Sequence, residues 1–153
     1  MTLTRSLAAA VAAAASLAVA VPTAGAATLQ GKTKGGNTIT LKRSGQKIST
    51  LKTAVPTMCV ETTGSGMSRA GVELFEPPGS FTIGTQRKTK ALQEAAMNLG
   101  IEATKNYTVK LNRSSGQTVS GKLSVNFSFM IPDLFRTMPY IYMCQGVTTF
   151  TAR

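Results

Sequence analysis

Histidine and tryptophan are absent from all 153 residues, and only six side chains are acidic. Without an imidazole the chain has no Ser-His-Asp or Cys-His mechanism and no histidine-ligated zinc. Glycosidase-type chemistry needs two carboxylates placed about a bond. Glu73 and Glu76 are close in sequence, but they flank a short apolar run before Pro77-Pro78 and are expected to face solvent. Ser49 and Lys52 have the S-x-x-K spacing, yet a strand there puts them on opposite faces. Gly64-Ser65-Gly66 lacks the lysine of a phosphate loop. No catalytic residue, cofactor or metal is therefore expected.

Long apolar runs are also missing after the first 21 residues; a bilayer span needs about 20 such residues. The start of the chain reads as a cleavable export signal. Arg5 is its one basic residue, Ser6 to Val21 carries no charge, Pro22 breaks the run, and Ala24-Gly25-Ala26 offers the small residues a signal peptidase requires. Residues 1–26 are thus expected to be a signal peptide with a helical core, and residues 27–153 a single secreted domain. No membrane span is expected in that mature part.

What the domain does have is positive charge. Its 16 basic residues against six acids leave a net charge of +10 once Arg5 is removed with the signal. Outside a cell such a field favours anionic wall polymers, lipid headgroups or acidic polysaccharide, and nucleic acid is not the expected partner. Most of the lysines are scattered in the manner of a solubilising surface. Only Arg87, Lys88 and Lys90 cluster, and they form the candidate polyanion patch.

The two cysteines, Cys59 and Cys144, are expected to pair, since an exported chain meets an oxidising compartment. Closing so long a loop is worth roughly 4 kcal/mol in the chain-entropy model.

Short alternating runs separated by glycine turns dominate the rest. Thr28 to Thr33, Asn37 to Arg43 and Lys47 to Val55 read as a meander with turns at Lys34-Gly35-Gly36 and Ser44-Gly45-Gln46, and Pro56 is expected to interrupt pairing. Glu61 to Gly71 reads as a long exposed loop presenting Met67. Val72 to Phe75, Phe81 to Ile83, Tyr107 to Leu111 and Leu123 to Ile131 read as strands, and Tyr140 to Cys144 and Val147 to Ala152 as closing strands. Residues 90–99 are ambiguous. Leu92, Ala95, Ala96 and Leu99 fall on one helical face before Gly100, although a strand is the alternative. The pattern predicts a mainly β domain, an antiparallel β-sandwich or related two-layer barrel, with one short helix at most.

Gly31-Lys32-Thr33, the polar hairpins leading to Cys59, and Cys144-Gln145-Gly146-Val147 followed by Phe150-Thr151-Ala152-Arg153 carry a family pattern. In these two ends the chain resembles the small secreted β-domains, mostly uncharacterised, of high-GC Gram-positive (actinobacterial) bacteria. The middle departs from them, and Phe150 stands where tryptophan is common. The resemblance implies a disulfide-tied β-sandwich without an established activity.

Tyr140 and Tyr142 share one face of a strand, which is read first as core packing or a strand edge; the alternative is a candidate contact surface with Arg136 and Met67. The functional expectation is a non-enzymatic exported domain that binds anionic envelope polymers or an extracellular protein. The alternatives are a secreted enzyme inhibitor acting through the 61–71 loop and a carboxylate-based enzyme of unrecognised type.

Overall fold

The computed structural model describes residues 25–94, 101–112, 116–132 and 138–153. The expected signal peptide lies outside them except for its last two residues, and Arg136 also lies outside. The described chain forms nine antiparallel strands: β1 (Ala27–Thr33), β2 (Thr38–Ser44), β3 (Lys47–Glu61), β4 (Ser68–Phe75), β5 (Phe81–Thr82), β6 (Gln86–Glu94), β7 (Glu102–Leu111), β8 (Val119–Ile131) and β9 (Tyr140–Ala152). They make one sheet in the order β4-β3-β2-β1-β9-β8-β7-β6, with β5 paired to β3 and an additional pairing of β3 with β9.

Strict alternation drives this arrangement. In β8, Val119, Gly121, Leu123, Val125, Phe127 and Phe129 are buried, while Lys122, Asn126, Ser128 and Met130 are exposed. The sheet folds over so that its inner face closes on itself as a sandwich-like core. Phe75 of β4 meets Tyr107 of β7 edge-to-face, ring centroids 5.0 Å apart, although the two strands lie far apart in the sheet order. Phe129 stacks on Tyr142 at 5.3 Å, which places that tyrosine in the core.

The first hairpins follow their turn chemistry. Ser44 pairs with Lys47 across a two-residue turn, and Gly45 supplies the positive φ of 57° that a side chain disfavours. One residue later the ladder slips: Arg43 pairs with Ile48 but Lys42 with Thr50. Ser49 is the extra residue of this bulge. The bulge reverses the parity of the strand, so Ser49 and Lys52 are both exposed on the outer face, contrary to the sequence expectation. Lys52 instead pairs with Glu76 at 2.5 Å.

Three boundaries differ from the sequence reading. Pro56 does not interrupt β3, because it falls in a gap along one edge, after β2 has ended its pairing at Lys52 and before β9 joins at Thr57. The loop expected over residues 61–71 shrinks to residues 62–67, since Ser68 onward pairs with β3. Lys90–Glu94 is the end of strand β6, in register with β7 from Asn106 to Glu102, so the helical option fails there; residues 95–100 lie outside the described part. The local helical periodicity lost to the ladder offered by β7. The two closing strands are one, β9, which continues through Gly146. There β9 and β3 approach so closely that a Cβ on Gly146 would stand 2.7 Å from the Pro56 carbonyl oxygen.

Candidate anion-binding groove

Alternation also determines which charges meet on the outside. Lys110 of β7 and Lys122 of β8 are direct cross-strand partners, and Lys122 is opposite Thr149 of β9. The Lys34 backbone N–H donates to the Thr149 carbonyl at 2.8 Å, bringing Lys34 to the far side of the same row. Lys32 sits in the adjacent row, opposite Thr151. Lys110 and Lys34 are three strands apart, so at about 4.8 Å per strand their backbones lie about 14 Å apart.

These four lysines line one open groove of about 530 Å³, floored by Ser120, Thr149 and Thr151. Among the described residues none of the four forms an ion pair with a carboxylate. Like charges directly opposite on neighbouring strands oppose folding. The Lys110–Lys122 pair is thus an arrangement that an anion would relieve. Thr33, buried with its Oγ1 lacking a hydrogen-bond partner, also lines the groove.

The acids are engaged elsewhere. Glu73 is not solvent-facing as expected: it is 1% exposed and forms an ion pair with Lys105, itself 2% exposed. Lys105 Nζ also donates to the Glu94 carbonyl and lies 5.5 Å from the Phe127 ring centroid. Next to this pair the Tyr107 hydroxyl donates to Gln93 Oε1. Burial first, then the charges of Glu73 and Glu76, push the Tyr107 ionisation well above its ordinary value. The phenol stays protonated as a donor. Glu94 and Glu102 face each other across β6 and β7, both exposed and outside the lysine groove. Among the described residues no group of three or more cysteines or acids comes together to hold a metal ion.

Glu61, at the end of β3, is 2% exposed and organises the short loop after it. Its carboxylate accepts from the Ser65 hydroxyl, from the Ser65 N–H at 3.1 Å and from the Thr63 hydroxyl at 3.2 Å. The Ser65 hydroxyl bond is the main influence holding its pKa below the ordinary 4.5. A carboxyl depressed by folding contributes stability that is present above the unfolded pKa and lost as pH falls through the folded one. The loop is accordingly expected to be unchanged from pH 7 to pH 5 and to lose its order below about pH 4.5. The Ser65 amide, followed by NMR during acid titration, checks this; a transition near neutral pH would contradict it.

The sequence-nominated residues fare differently. Met67, Tyr140 and Tyr142 line a groove of about 610 Å³ with Ile131 and Arg69, but Tyr142 is buried and packs in the core. Arg69, whose guanidinium carbon is 6.0 Å from the Tyr142 centroid, supplies a cation beside them, and Arg136 lies outside the described residues. Of the patch of Arg87, Lys88 and Lys90, the two lysines share one exposed face of β6 and Arg87 does not join them. Strand alternation sends Arg87 to the opposite face, where it donates to the Ser80 carbonyl and lies 5.8 Å from the Phe81 centroid. Cys59 and Cys144 are paired, directly opposite each other on β3 and β9. Sequence reasoning missed the lysine groove because its members come from four separate segments. No family model and no curated protein matches this chain.

Proposed function

We propose that this protein is a non-enzymatic, exported β-domain that binds an anionic polymer of the cell envelope or the extracellular medium. The four-lysine groove carries this reading: Lys110 and Lys122 are held side by side, with no carboxylate among the described residues paired to either. The buried disulfide and the export-type N-terminal sequence support an extracytoplasmic site of action. The reading of the domain as a non-enzyme is supported by the acids' engagement in structural roles: Glu61 in its loop, Glu73 with Lys105, Glu76 with Lys52.

Lys110→Glu/Lys122→Glu is expected to weaken retention on purified anionic envelope polymer at least about tenfold near 0.1 M salt, where screening extends over about 10 Å. Lys42→Glu/Lys47→Glu, with the same change of net charge in the β2–β3 hairpin, is expected to retain most of the affinity. Equal losses in the two variants would reduce the interaction to net charge alone and overturn the groove.

A second reading, an inhibitor of an extracellular enzyme, is favoured by one observation. Met67 is half exposed at the end of a loop that Glu61 holds in place. Unchanged rates across a panel of extracellular proteases would remove it.

A further inference from the structure

The outer face of β9, β8 and β7 does not end at the lysines. Four residues along β9 from Thr149, about 14 Å at strand rise, Gln145 stands opposite Asn126 of β8, and Asn126 opposite Asn106 of β7. On the other side Gln145 faces Met58 of β3, and Met143 faces Val60. These side chains line a second groove of about 730 Å³, within the roughly 300–1,000 Å³ common for small-ligand sites. Among the described residues no charged one lines it.

The two grooves are different in kind and lie along one strand direction. The first offers ammonium groups and hydroxyls. The second offers carboxamides on one flank, each with donors and acceptors, and flexible thioethers with a valine on the other. Vicinal hydroxyls match the carboxamides, and the C–H faces of a sugar ring match the methionines. A polymer bearing charge alone leaves the second groove unused. Among the described residues a nucleic acid finds no aromatic ring in either groove on which to stack a base, apart from the buried Phe127 and Phe150.

We infer that the groove between Met58, Met143 and the carboxamides of Asn126 and Gln145 is a sugar subsite, and that the ligand is an anionic polysaccharide lying along the strands with its charges over the lysines. This rests on the polyanion reading above and names the chemical class of that polymer.

Asn126→Ala and Gln145→Ala test it, because both side chains are exposed and neither makes a hydrogen bond within the described fold. Binding is measured to alginate, to inorganic polyphosphate, to uncharged dextran and to single-stranded DNA, with the melting temperature of each variant as the folding control. The wild type is expected to prefer alginate to polyphosphate at matched charge concentration. Each substitution is expected to weaken alginate about tenfold while leaving polyphosphate within about twofold. If the substitutions change neither ligand, or both equally, or if DNA binds more tightly than alginate, the sugar subsite is wrong while the polyanion reading stands. If Lys110→Glu/Lys122→Glu changes no ligand, the polyanion reading itself fails.

Discussion

Replacing Lys105 by alanine is expected to destabilise the domain by about 3–5 kcal/mol, as breaking one side of a buried ion pair does. The ammonium is enclosed between β4 and β7, where it meets the Glu73 carboxylate, the Glu94 carbonyl and the face of Phe127. Its removal leaves a carboxylate charge that solvent cannot reach and a backbone oxygen without that donor. The expected loss is a large fraction of the roughly 5–15 kcal/mol that holds a domain of this size together. The pair itself is a different matter. Two charges brought out of water recover by mutual attraction about what their desolvation costs, so an apolar pair of similar volume does as well or better. Lys105→Met/Glu73→Leu is therefore expected to recover most of the stability lost in Lys105→Ala. Urea unfolding of the two single variants and the double variant measures this directly. A Lys105→Ala variant within 1 kcal/mol of wild type would mean that Glu73 reaches solvent and that the two layers are not closed over it.

That pair also shows how far the sequence could be read. The alternation Tyr107-Val109-Leu111 was plain, and the strand and its inner face follow from it. Extending the same parity by one step places Lys105 inside, just as Phe75 places Glu73 inside and Cys59 places Glu61 inside. Charge outweighed parity in assigning Glu73 to solvent, because an isolated acid is costly to bury and its partner lies 32 residues away. The mainly β class, the glycine turns and the cysteine pairing were legible for local reasons: turn chemistry, period-two alternation and an even cysteine count. What competes over longer range was not. The sequence of residues 90–99 offers a helical face, and only the presence of β7 as a ladder partner makes residues 90–94 strand. Pro56 breaks a strand only where the missing N–H is needed, which depends on where β2 stops and β9 begins.

The candidate site was less legible than the fold for a related reason. Lys32, Lys34, Lys110 and Lys122 are spread over some ninety residues, and nothing in their local sequence marks them. Their convergence is a statement of register, fixed by the β7–β8 and β8–β9 pairings. Arg87 and Lys88 are adjacent in sequence, and that adjacency is what separates them, leaving only Lys88 and Lys90 on a common face: neighbours on a strand point to opposite faces. In a sheet protein a run of like charges is a poor sign of a site. Equal parity on paired strands is the better one.

The same register governs the covalent tie, and the second large effect is expected there. β3 and β9 pair over only five residues, from Thr57 to Glu61 against Gly146 to Tyr142, with Cys59 and Cys144 at the centre. With the three-residue pairing of β1 to β9, that short ladder joins the strands before β5 to those after it. The bridge closes a loop between residues 85 apart. On the chain-entropy model this restricts the unfolded chain by about 4.5 kcal/mol. Cys59→Ala/Cys144→Ala is expected to lose about that much, seen as a fall in the urea midpoint. The urea dependence should also steepen, because the uncrosslinked unfolded chain exposes more surface. Wild type in reductant should start from the native state intact, since both sulfurs are buried beside Phe127, and should lose the same stability only once unfolding admits the reductant. A double variant with an unchanged midpoint and slope would show that the strand pairings alone hold the two parts of the sheet together.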